Sequence, residues 1–258
     1  MQNNPRLEHE AAHFDQMISG KSSEIIFYDA PFVKNVMEDL NEVTFGKLGN
    51  LQGKSILFYG SGANFAPIQK MIDAKSRKVC AIDISPKSIE IIQRLVDETD
   101  LSGLVYPEVM DCMDLKYADN TFDRVYGRAI LHHLDLQSAF NEIFRILKPG
   151  GVAVFLEPLG MNPFINLFRK LTPERRTADE HPFVRTDFLE MEKYPFSRIE
   201  YQSVNLLVNL GIFVSTSVKP IKLDRKAYLF LKNMDQFLLK HFSLLNRFCW
   251  NTIITLTK

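Results

Sequence analysis

A turn that contains two glycines follows a short apolar run near residue 60. The run Ser55 to Tyr59 predicts a buried β-strand, and Gly60-Ser61-Gly62 comes directly after it and ahead of a helical pattern. Glycines at such a turn let the backbone approach a ligand closely, and the N-terminus of the helix presents free N–H groups to it. A dinucleotide fingerprint would place a third glycine where this chain has Phe65, which weakens the case for NAD.

A carboxylate, Asp83, ends the next predicted strand, Lys78 to Asp83. A carboxylate at this place accepts hydrogen bonds from the two hydroxyls of a ribose in several adenosine-binding folds. The alternative is that Asp83, with Ser85, only caps the helix that begins at Pro86. Both uses need a polar group at the C-terminal end of the strand, so the position favours an adenosine-type ligand and leaves the cap open.

Two adjacent histidines, His132 and His133, follow the fourth predicted strand. An unperturbed imidazole pKa of about 6.5 suits a general base, so both are candidate catalytic residues. The alternative is that one histidine caps the following helix and the other packs in the core. Adjacent histidines do not have metal-ligand spacing on a helix, so the sequence predicts no metal.

Three further residues are candidates for contact with a substrate. Glu157, at the end of the fifth predicted strand, and His181, in a polar loop with Arg185, either face the substrate or serve locally as a helix cap and a loop anchor. Tyr28 lies in residues 1 to 50, where the pattern predicts one or two helices. That segment either caps a ligand cleft, with Tyr28 on the substrate, or is an ordinary covering helix.

The elements that must position these residues alternate between β-branched runs and amphipathic stretches from residue 54 to 157. This alternation predicts an α/β fold, a parallel sheet covered by helices. The predicted strands are Ser55 to Tyr59, Lys78 to Asp83, Leu104 to Met110, Asp123 to Tyr126 and Val152 to Glu157. The predicted helices are Phe65 to Ala74, Pro86 to Val96 and Leu136 to Leu147, the last ended by a turn at Pro149, Gly150 and Gly151.

Beyond Glu157 the pattern predicts a helix over Asn162 to Leu171, a polar loop, a strand over Ser197 to Leu206 and a final strand at TIITLT. Between these two strands, Leu223 to Phe248 is predicted to form a long helix with one apolar face. The residues of that face are Leu231, Met234, Leu238, Phe242 and Leu245.

Composition excludes several classes of protein. The chain has 258 residues, and its 31 Lys and Arg balance 31 Asp and Glu, so bulk charge gives no support to a nucleic-acid partner. The cysteines Cys80, Cys112 and Cys249 suggest neither a disulfide framework nor a zinc site, which favours a cytoplasmic location. No secretory signal and no run of ~18 apolar residues is seen, so we expect one domain that is soluble or at most peripheral to a membrane.

Two further sequence motifs follow the glycine turn and Asp83 in order along the chain. They are DCMDLKYADNTFDRVYGRAILHHL and LKPGGVAVFLEP. In order and spacing the chain resembles the class I S-adenosylmethionine-dependent methyltransferases, particularly the small-molecule group that includes ubiquinone and menaquinone methyltransferases. The resemblance covers roughly residues 50 to 158. It implies a Rossmann-like, seven-stranded, mostly parallel sheet with the last strand antiparallel, an N-terminal helical cap over residues 1–50, a cofactor-binding core over 51–158 and acceptor-side elements with a helical insertion over 159–258.

The resemblance also assigns residues to the cofactor, S-adenosylmethionine, whose product is S-adenosylhomocysteine. At the methionine end it places Tyr59, Gly60, Ser61, Gly62 and, largely through its backbone, Arg128. At the ribose and adenine it places Asp83, Ile84, Asp111, Cys112 and Met113.

One departure from the family concerns Phe58, which stands where relatives have Asp or Glu at the methionine end; Asn64 also replaces a frequent glycine. The resemblance implies methyl transfer to a small apolar acceptor, with oxygen slightly favoured. Phe58 motivates one rival, a protein that binds the cofactor without methyl transfer or uses it for another reaction. The glycine turn with Asp83 alone supports a second rival, an NAD-dependent oxidoreductase.

The absence of an Asn-Pro-Pro-Tyr-like sequence after the fourth strand argues against nucleic-acid acceptors. The aromatic residues of Leu223 to Phe248 suggest an acceptor-binding or lid element. Alternatives for this segment are a homodimer face, a cover of the core, or an interfacial membrane helix, because basic residues sit near its start. Those basic residues are Lys219, Lys222, Arg225, Lys226 and Lys232.

Overall fold

Seven strands form one sheet in the order β3-β2-β1-β4-β5-β7-β6 in the computed structural model, which describes residues 11–12, 15, 30–171, 180–217 and 223–258. Strands β1 to β5 run parallel to one another, and β7 runs antiparallel to both β5 and β6. The predicted α/β class and the antiparallel last strand are therefore confirmed. The strands are β1 (Ser55–Tyr59), β2 (Lys78–Asp83), β3 (Val105–Val109), β4 (Phe122–Arg128), β5 (Leu147–Pro158), β6 (Arg198–Val204) and β7 (Asn251–Thr257).

Helices cover both faces of the sheet, because successive strand residues are buried on opposite sides. Ile56 and Phe58 belong to one apolar core, and Leu57 and Tyr59 belong to the other. The described helices are α1 (Pro31–Leu48), α2 (Phe65–Asp73), α3 (Pro86–Glu98), α4 (Leu136–Ile146), α5 (Pro163–Leu171), α6 (Arg185–Met191), α7 (Val208–Ser217) and α8 (Arg225–His241), with short 3-10 turns at Leu131–His133 and Ser243–Phe248. None of these helices combines the length and apolarity needed to cross a bilayer.

The N-terminal segment supplies α1, which buries Phe32, Val36 and Leu40 against the sheet and α8. Upstream of it the described residues are Ala11, Ala12 and Asp15, all helical. The prediction of a helical leader is confirmed for α1, which acts as a covering helix. Tyr28, with Phe14 and Phe27, lies outside the described residues.

The junction between α4 and β5 differs from the prediction. The helix ends at Ile146, and β5 begins at Leu147, which pairs with Phe122 before the register shifts at Arg124. Gly150 adopts a φ of +73°, and its N–H donates to the carbonyl of Lys258 at 2.9 Å. The Pro-Gly-Gly sequence therefore forms an irregular start of the strand, held by the C-terminus of the chain, and not a free turn.

The burial of α8 also differs from the prediction. Met234 and Phe242, two residues of the predicted apolar face, are exposed, so that face does not cover the core as a whole, whereas Tyr228 and Asp235 are buried. The carboxylate of Asp235 accepts hydrogen bonds from the N–H groups of Leu206, Leu207 and Val208, at 2.8, 2.6 and 3.3 Å. These three N–H groups have no hydrogen-bond partner within α7 because they lie at its N-terminus. Asp235 of α8 is buried because its carboxylate satisfies them.

Asp235 gives a test of this packing. We expect Asp235→Ala to lower the free energy of unfolding by about 2–4 kcal/mol, because it leaves buried N–H groups unsatisfied as well as removing a cap. Asp224→Ala is the matched control, since Asp224 caps α8 through one bond to Ala227 N at an exposed position and should cost only about 1 kcal/mol. Urea denaturation of the two variants measures both values, and equal losses would contradict the assignment.

Candidate functional site

The C-terminal ends of parallel strands β1, β2, β4 and β5 lie along one edge of the sheet. Gly60, Asp83, Arg128 and Glu157 stand at or directly after these ends. In open α/β sheets this edge is where ligands bind, next to the point where strand order reverses. Here the order reverses between β1 and β4.

The glycine turn after β1 needs glycine for two reasons. Gly60 has a φ of +66°, and a Cβ on it would lie 2.5 Å from Cγ1 of Ile130. Gly62 also has a positive φ, of +52°, and its N–H donates to Asp83 Oδ2 at 2.8 Å. Side chains at these positions would strain the backbone. Asn64, which replaces a frequent glycine of the family, caps α2 because its side chain accepts a hydrogen bond from Ala66 N.

Asp83 bridges the two loops at the ends of β1 and β2. Its Oδ1 accepts from Ser85 N at 2.9 Å, while its Oδ2 accepts from Gly62 N. Burial raises the pKa of this carboxyl, the two backbone hydrogen bonds oppose the rise, and the charge of Asp15 adds to it. The hydroxyl of Ser85, and not Asp83, caps α3 by accepting from Ser88 N at 3.1 Å. Of the two uses that the sequence left open, the cap is therefore assigned to Ser85.

The loop after β3 is held in place from within the core. Tyr59 is fully buried, and its hydroxyl donates to the carbonyl of Cys112 at 2.6 Å. Asp111 Oδ1 accepts from Met113 N at 2.8 Å. The side chain of Tyr59 thus reaches the Asp111–Met113 loop and does not line the glycine turn. Its predicted contact with the cofactor is left to its backbone, and its side chain positions the loop.

Arg128, at the end of β4, sends its side chain to α1, where it donates to Asn41 Oδ1 at 3.3 Å and to the sulfur of Met37. The next residue, Ala129, adopts a φ of +51°, which is unusual for a residue with a side chain. Strained backbone of this kind is concentrated at functional sites. The N–H of Ala129 donates to the carbonyl of Leu156 at 2.8 Å, so the chain after β4 stays bound to the end of β5. The backbone contact of Arg128 with the cofactor stays a prediction.

Phe58 is part of the core on the α1 side of the sheet. It is buried, its ring centroid lies 5.3 Å from that of Tyr126, and the ring of Tyr126 lies 5.1 Å from that of Phe45. The hydroxyl of Tyr126 is buried without a hydrogen-bond partner among the described residues. An apolar cluster thus occupies the place where relatives carry a carboxylate.

Glu157 and His132 form a buried pair at the end of β5. Glu157 Oε1 accepts from the N–H groups of Ile130 and Leu131 at 3.0 Å each, and its Oε2 lies 2.8 Å from His132 Nδ1. Because an ionised carboxylate only accepts, Nδ1 carries the proton in this bond. Glu157 is fully buried, and its oxygens hold the 3-10 turn and orient His132, which matches the local role that the sequence left open. Its contact with a substrate stays a prediction.

The other ring nitrogen of His132 faces Glu180, with Nε2 3.7 Å from Oε1. Burial by itself would lower the pKa of His132, but the carboxylates of Glu157 and Glu180 raise it to about 9. His132 is therefore an imidazolium at neutral pH in this arrangement. The ring centroid of His133 lies 4.1 Å from that of His132, with the two rings tilted by 41°, and its Nε2 lies 4.0 Å from the same Glu180 oxygen.

His132, His133 and Glu180 could hold a metal ion through one atom each, since these atoms lie within 4.8 Å of one another. Ligands at about 2.1 Å from one metal in tetrahedral or octahedral geometry lie about 3.0–3.4 Å apart, so this group would have to contract. The predicted absence of a metal stays a prediction.

His181 reaches the site through its backbone and not through its ring. Its N–H donates to the carbonyl of His132 at 2.7 Å, while its exposed imidazole lies 3.3 Å from Asp187. Arg185 is exposed at the start of α6. The neighbouring Glu180, which no sequence pattern singled out, is the loop residue that joins the histidines. Its only signal was an acidic residue beside His181 in a polar loop.

Comparison with known proteins agrees with this geometry. Residues 59–155 match the family model described as a methyltransferase domain. A sterol 24-C-methyltransferase of Aspergillus fumigatus is 33% identical over 107 residues, which cover 41% of this chain and 28% of that protein. A demethylmenaquinone methyltransferase of Symbiobacterium thermophilum is 35% identical over 97 residues, which cover 37% and 38% of the two chains. The chain thus spans about a third of the length of these relatives.

A solved structure of geranyl diphosphate C-methyltransferase from Streptomyces coelicolor, in complex with Mg²⁺, geranyl diphosphate and S-adenosylhomocysteine, superposes with a TM-score of 0.63 at 15% identity, over 87% of this chain and 80% of that chain. The solved structure therefore shows a Rossmann-like α/β fold. Residues 59–155 match a methyltransferase domain, and the resemblance to class I S-adenosylmethionine-dependent methyltransferases that the motifs predicted is confirmed.

The buried pair predicts how stability varies with pH. The pKa of His132 is raised from 6.5 to about 9 on folding, so its contribution to stability is complete below about pH 6.5 and is lost as pH rises through about 9. A tenfold change in the proton affinity of a group on folding corresponds to about 1.4 kcal/mol of stability. We expect the wild-type protein to lose a few kcal/mol relative to His132→Gln between about pH 6 and pH 10, measured by urea denaturation. Glu190→Gln is the control and should follow the wild type; a pH-independent difference from His132→Gln would show that the imidazole is neutral.

Proposed function

We propose that this chain transfers the methyl group of S-adenosylmethionine to a small apolar acceptor, with oxygen as the favoured acceptor atom, and releases S-adenosylhomocysteine. The observation that carries the proposal is the carboxylate of Asp83, fixed beside the glycine turn at the edge of the sheet where strand order reverses. The methyltransferase-domain match over residues 59–155 supports the same conclusion.

The residues at the sheet edge fit the polar groups of the cofactor, which are its ribose hydroxyls and its adenine amino group. The space beside Gly62 is open, so a ligand can approach the backbone of the turn after β1 there, whereas the space beside Gly60 is filled by Ile130. Asp83 would hold the ribose, and Asp111 the adenine amino group. The apolar packing of Phe58 leaves the methionine end to backbone groups of the glycine turn and of Arg128. The bound sulfonium supplies an activated methyl group, so the protein has mainly to orient the acceptor and remove its proton.

His132 is the group that we assign to proton removal. Glu157 fixes its Nδ1–H, which leaves Nε2 as the atom that accepts a proton from a hydroxyl acceptor. Since Glu180 faces Nε2 in this structure, the charged imidazole must first lose its proton to act as a base. The ring of His133 contacts that of His132 at a tilt of 41° and helps to limit its movement.

An apolar acceptor is supported by the elements around the sheet edge. Between β6 and β7 the chain inserts α7 and α8, whose described side chains include many large apolar ones. The sterol, menaquinone and geranyl substrates in the names of the similar proteins are also rich in hydrocarbon. Carbon remains the second candidate acceptor atom, because two of those names describe C-methyltransferases.

A second candidate function is cofactor binding without methyl transfer, or use of the cofactor in another reaction, and Phe58 is the observation that favours it. It predicts tight binding of S-adenosylhomocysteine and no methylated product with any acceptor. The nicotinamide-dependent oxidoreductase is not favoured, because the family match and the Asp111 loop both belong to methyltransferases.

Calorimetric titration with S-adenosylmethionine, S-adenosylhomocysteine and NADH tests the cofactor. We expect binding of the two sulfur ligands and none of NADH. Asp83→Ala should weaken binding of the sulfur ligands more than about tenfold, because the loss of hydrogen bonds to a ribose costs about 1.4 kcal/mol or more. Asp97→Ala, an exposed aspartate on α3, is the matched control. Unchanged affinity in Asp83→Ala would overturn the placement of the cofactor.

The pH dependence of turnover tests the base. If His132 must be neutral, kcat/KM for a hydroxyl acceptor rises with pH through an apparent pKa near 9. Glu180→Gln removes a carboxylate that stabilises the imidazolium, so its profile should shift to lower pH, whereas Glu190→Gln should leave the profile in place. A profile that Glu180→Gln does not move would remove His132 from proton transfer.

A further inference from the structure

Exposed apolar side chains concentrate on one group of helices. Among the described residues, fifteen large apolar side chains are exposed, and ten of them lie on α5, α7, α8 and the 3-10 turn Ser243–Phe248, or at the junction of the last two. We call these four elements the helical face. Its exposed apolar residues are Phe164, Leu167, Leu210, Phe213, Leu229, Phe230, Met234, Phe237, Phe242 and Leu244. Helix α8 packs against both α7 and the 3-10 turn, and exposed apolar side chains that cluster on neighbouring elements mark a surface that binds a partner.

On α8 the exposed residues form one stripe. Phe230 and Phe237 are 65% and 56% exposed, two turns apart, with Lys226 one turn before them and Lys240 almost one turn after them. Tyr228 and Asp235, on the opposite side of the helix, are the residues that α8 buries. The stripe with Phe230 and Phe237 therefore has a lysine near each end, and it does not hold α8 against the rest of the protein.

The charges of the helical face have one sign. From Arg225 to Phe248 the only acidic residue is Asp235, which is buried against the N-terminus of α7, and α5 and α7 contain none. The basic residues are Arg169, Lys170, Arg225, Lys226, Lys232, Lys240 and Arg247. Lys232 is paired with Asp39 of α1, and Arg225 lies beside Glu38 and Glu42, so these two cations face α1 and contribute least to the positive surface.

The helical face adjoins the edge of the sheet where the site lies. Helix α5 follows the C-terminal end of β5, and the side chain of Asn162, at the start of α5, donates to the carbonyl of Phe248 at 2.5 Å. The N–H of Leu159, just after β5, donates to the carbonyl of Trp250 at 2.7 Å. The 3-10 turn and α5 thus meet at the end of the strand that carries Glu157.

We propose that the helical face docks the protein on the surface of a bilayer that contains anionic lipids. The rings of Phe230 and Phe237 enter the boundary between headgroups and acyl chains, while Lys226 and Lys240 reach lipid phosphates. Charge complementarity distinguishes this partner from a second copy of the chain. In a twofold dimer the same face meets itself, which would bring like charges together.

Vesicle flotation tests the proposal with the full chain. We expect binding to vesicles of phosphatidylcholine mixed with phosphatidylglycerol at least about tenfold stronger than to phosphatidylcholine alone, falling as salt is raised, because each basic residue near such a surface contributes about fivefold. The double variant Lys226→Gln/Lys240→Gln should lose at least about tenfold of the binding to anionic vesicles. The two lysine substitutions leave in place Asp224, which caps α8, and the buried pair of His132 and Glu157 in the candidate site.

A second double variant, Phe230→Ser/Phe237→Ser, should abolish vesicle binding, and Leu189→Ser, an exposed leucine on α6, is its matched control and should bind as the wild type does. Binding of S-adenosylhomocysteine reports that each variant is folded and does not depend on the vesicles. Equal binding to neutral and anionic vesicles, or an equal loss in Leu189→Ser, would overturn the proposal. So would a dimer in light scattering that either double variant dissociates. If the phenylalanine variant unfolds, the lysine variant decides.

Discussion

The buried carboxylate of Glu157 is the group on which the candidate site depends. A charge removed from water is tolerated only when the protein supplies the hydrogen bonds that water would have made. Two backbone N–H groups after β4 and the ring of His132 supply them here. Through one side chain at the end of β5, the path of the chain after β4 and the orientation of His132 are set together.

The glycine turn and Phe58 have different structural roles at β1. The turn lies at the edge of the sheet where the ligand is proposed to bind, and Phe58 packs in the core under α1. On the ligand side, Gly60 lets Ile130 pack closely against the turn, Gly62 leaves its own side of the turn open, and Asp83 ties the neighbouring loops together. On the other side, Phe58, Tyr126 and Phe45 stack under α1. Phe58 is thus part of the core, and in the proposed function the polar contacts at the methionine end of the cofactor are left to backbone groups.

The insertion between β6 and β7 joins structure and proposed function in one segment. Asp235 anchors α8 to the start of α7 from the inside, which frees the opposite side of α8 to carry Phe230 and Phe237. An apolar acceptor partitions into membranes, so a face that docks on a bilayer beside the acceptor edge would place the enzyme where such an acceptor is found. The proposed docking surface and the proposed acceptor class are thus consistent with each other.

The sequence by itself determined the α/β class, the bounds of β1 and β2, the glycine turn and the place of Asp83, because period-two and period-3.6 patterns and turn residues are local properties of the chain. It did not predict α6 or α7, the irregular start of β5, or which side of α8 is buried. The roles of Glu157 and Glu180 were also decided only by the tertiary structure. Residues 25 and 48 positions apart from His132 along the chain meet it only after the sheet has formed, and whether a carboxylate faces a ligand, a backbone N–H or an imidazole depends on those long-range contacts.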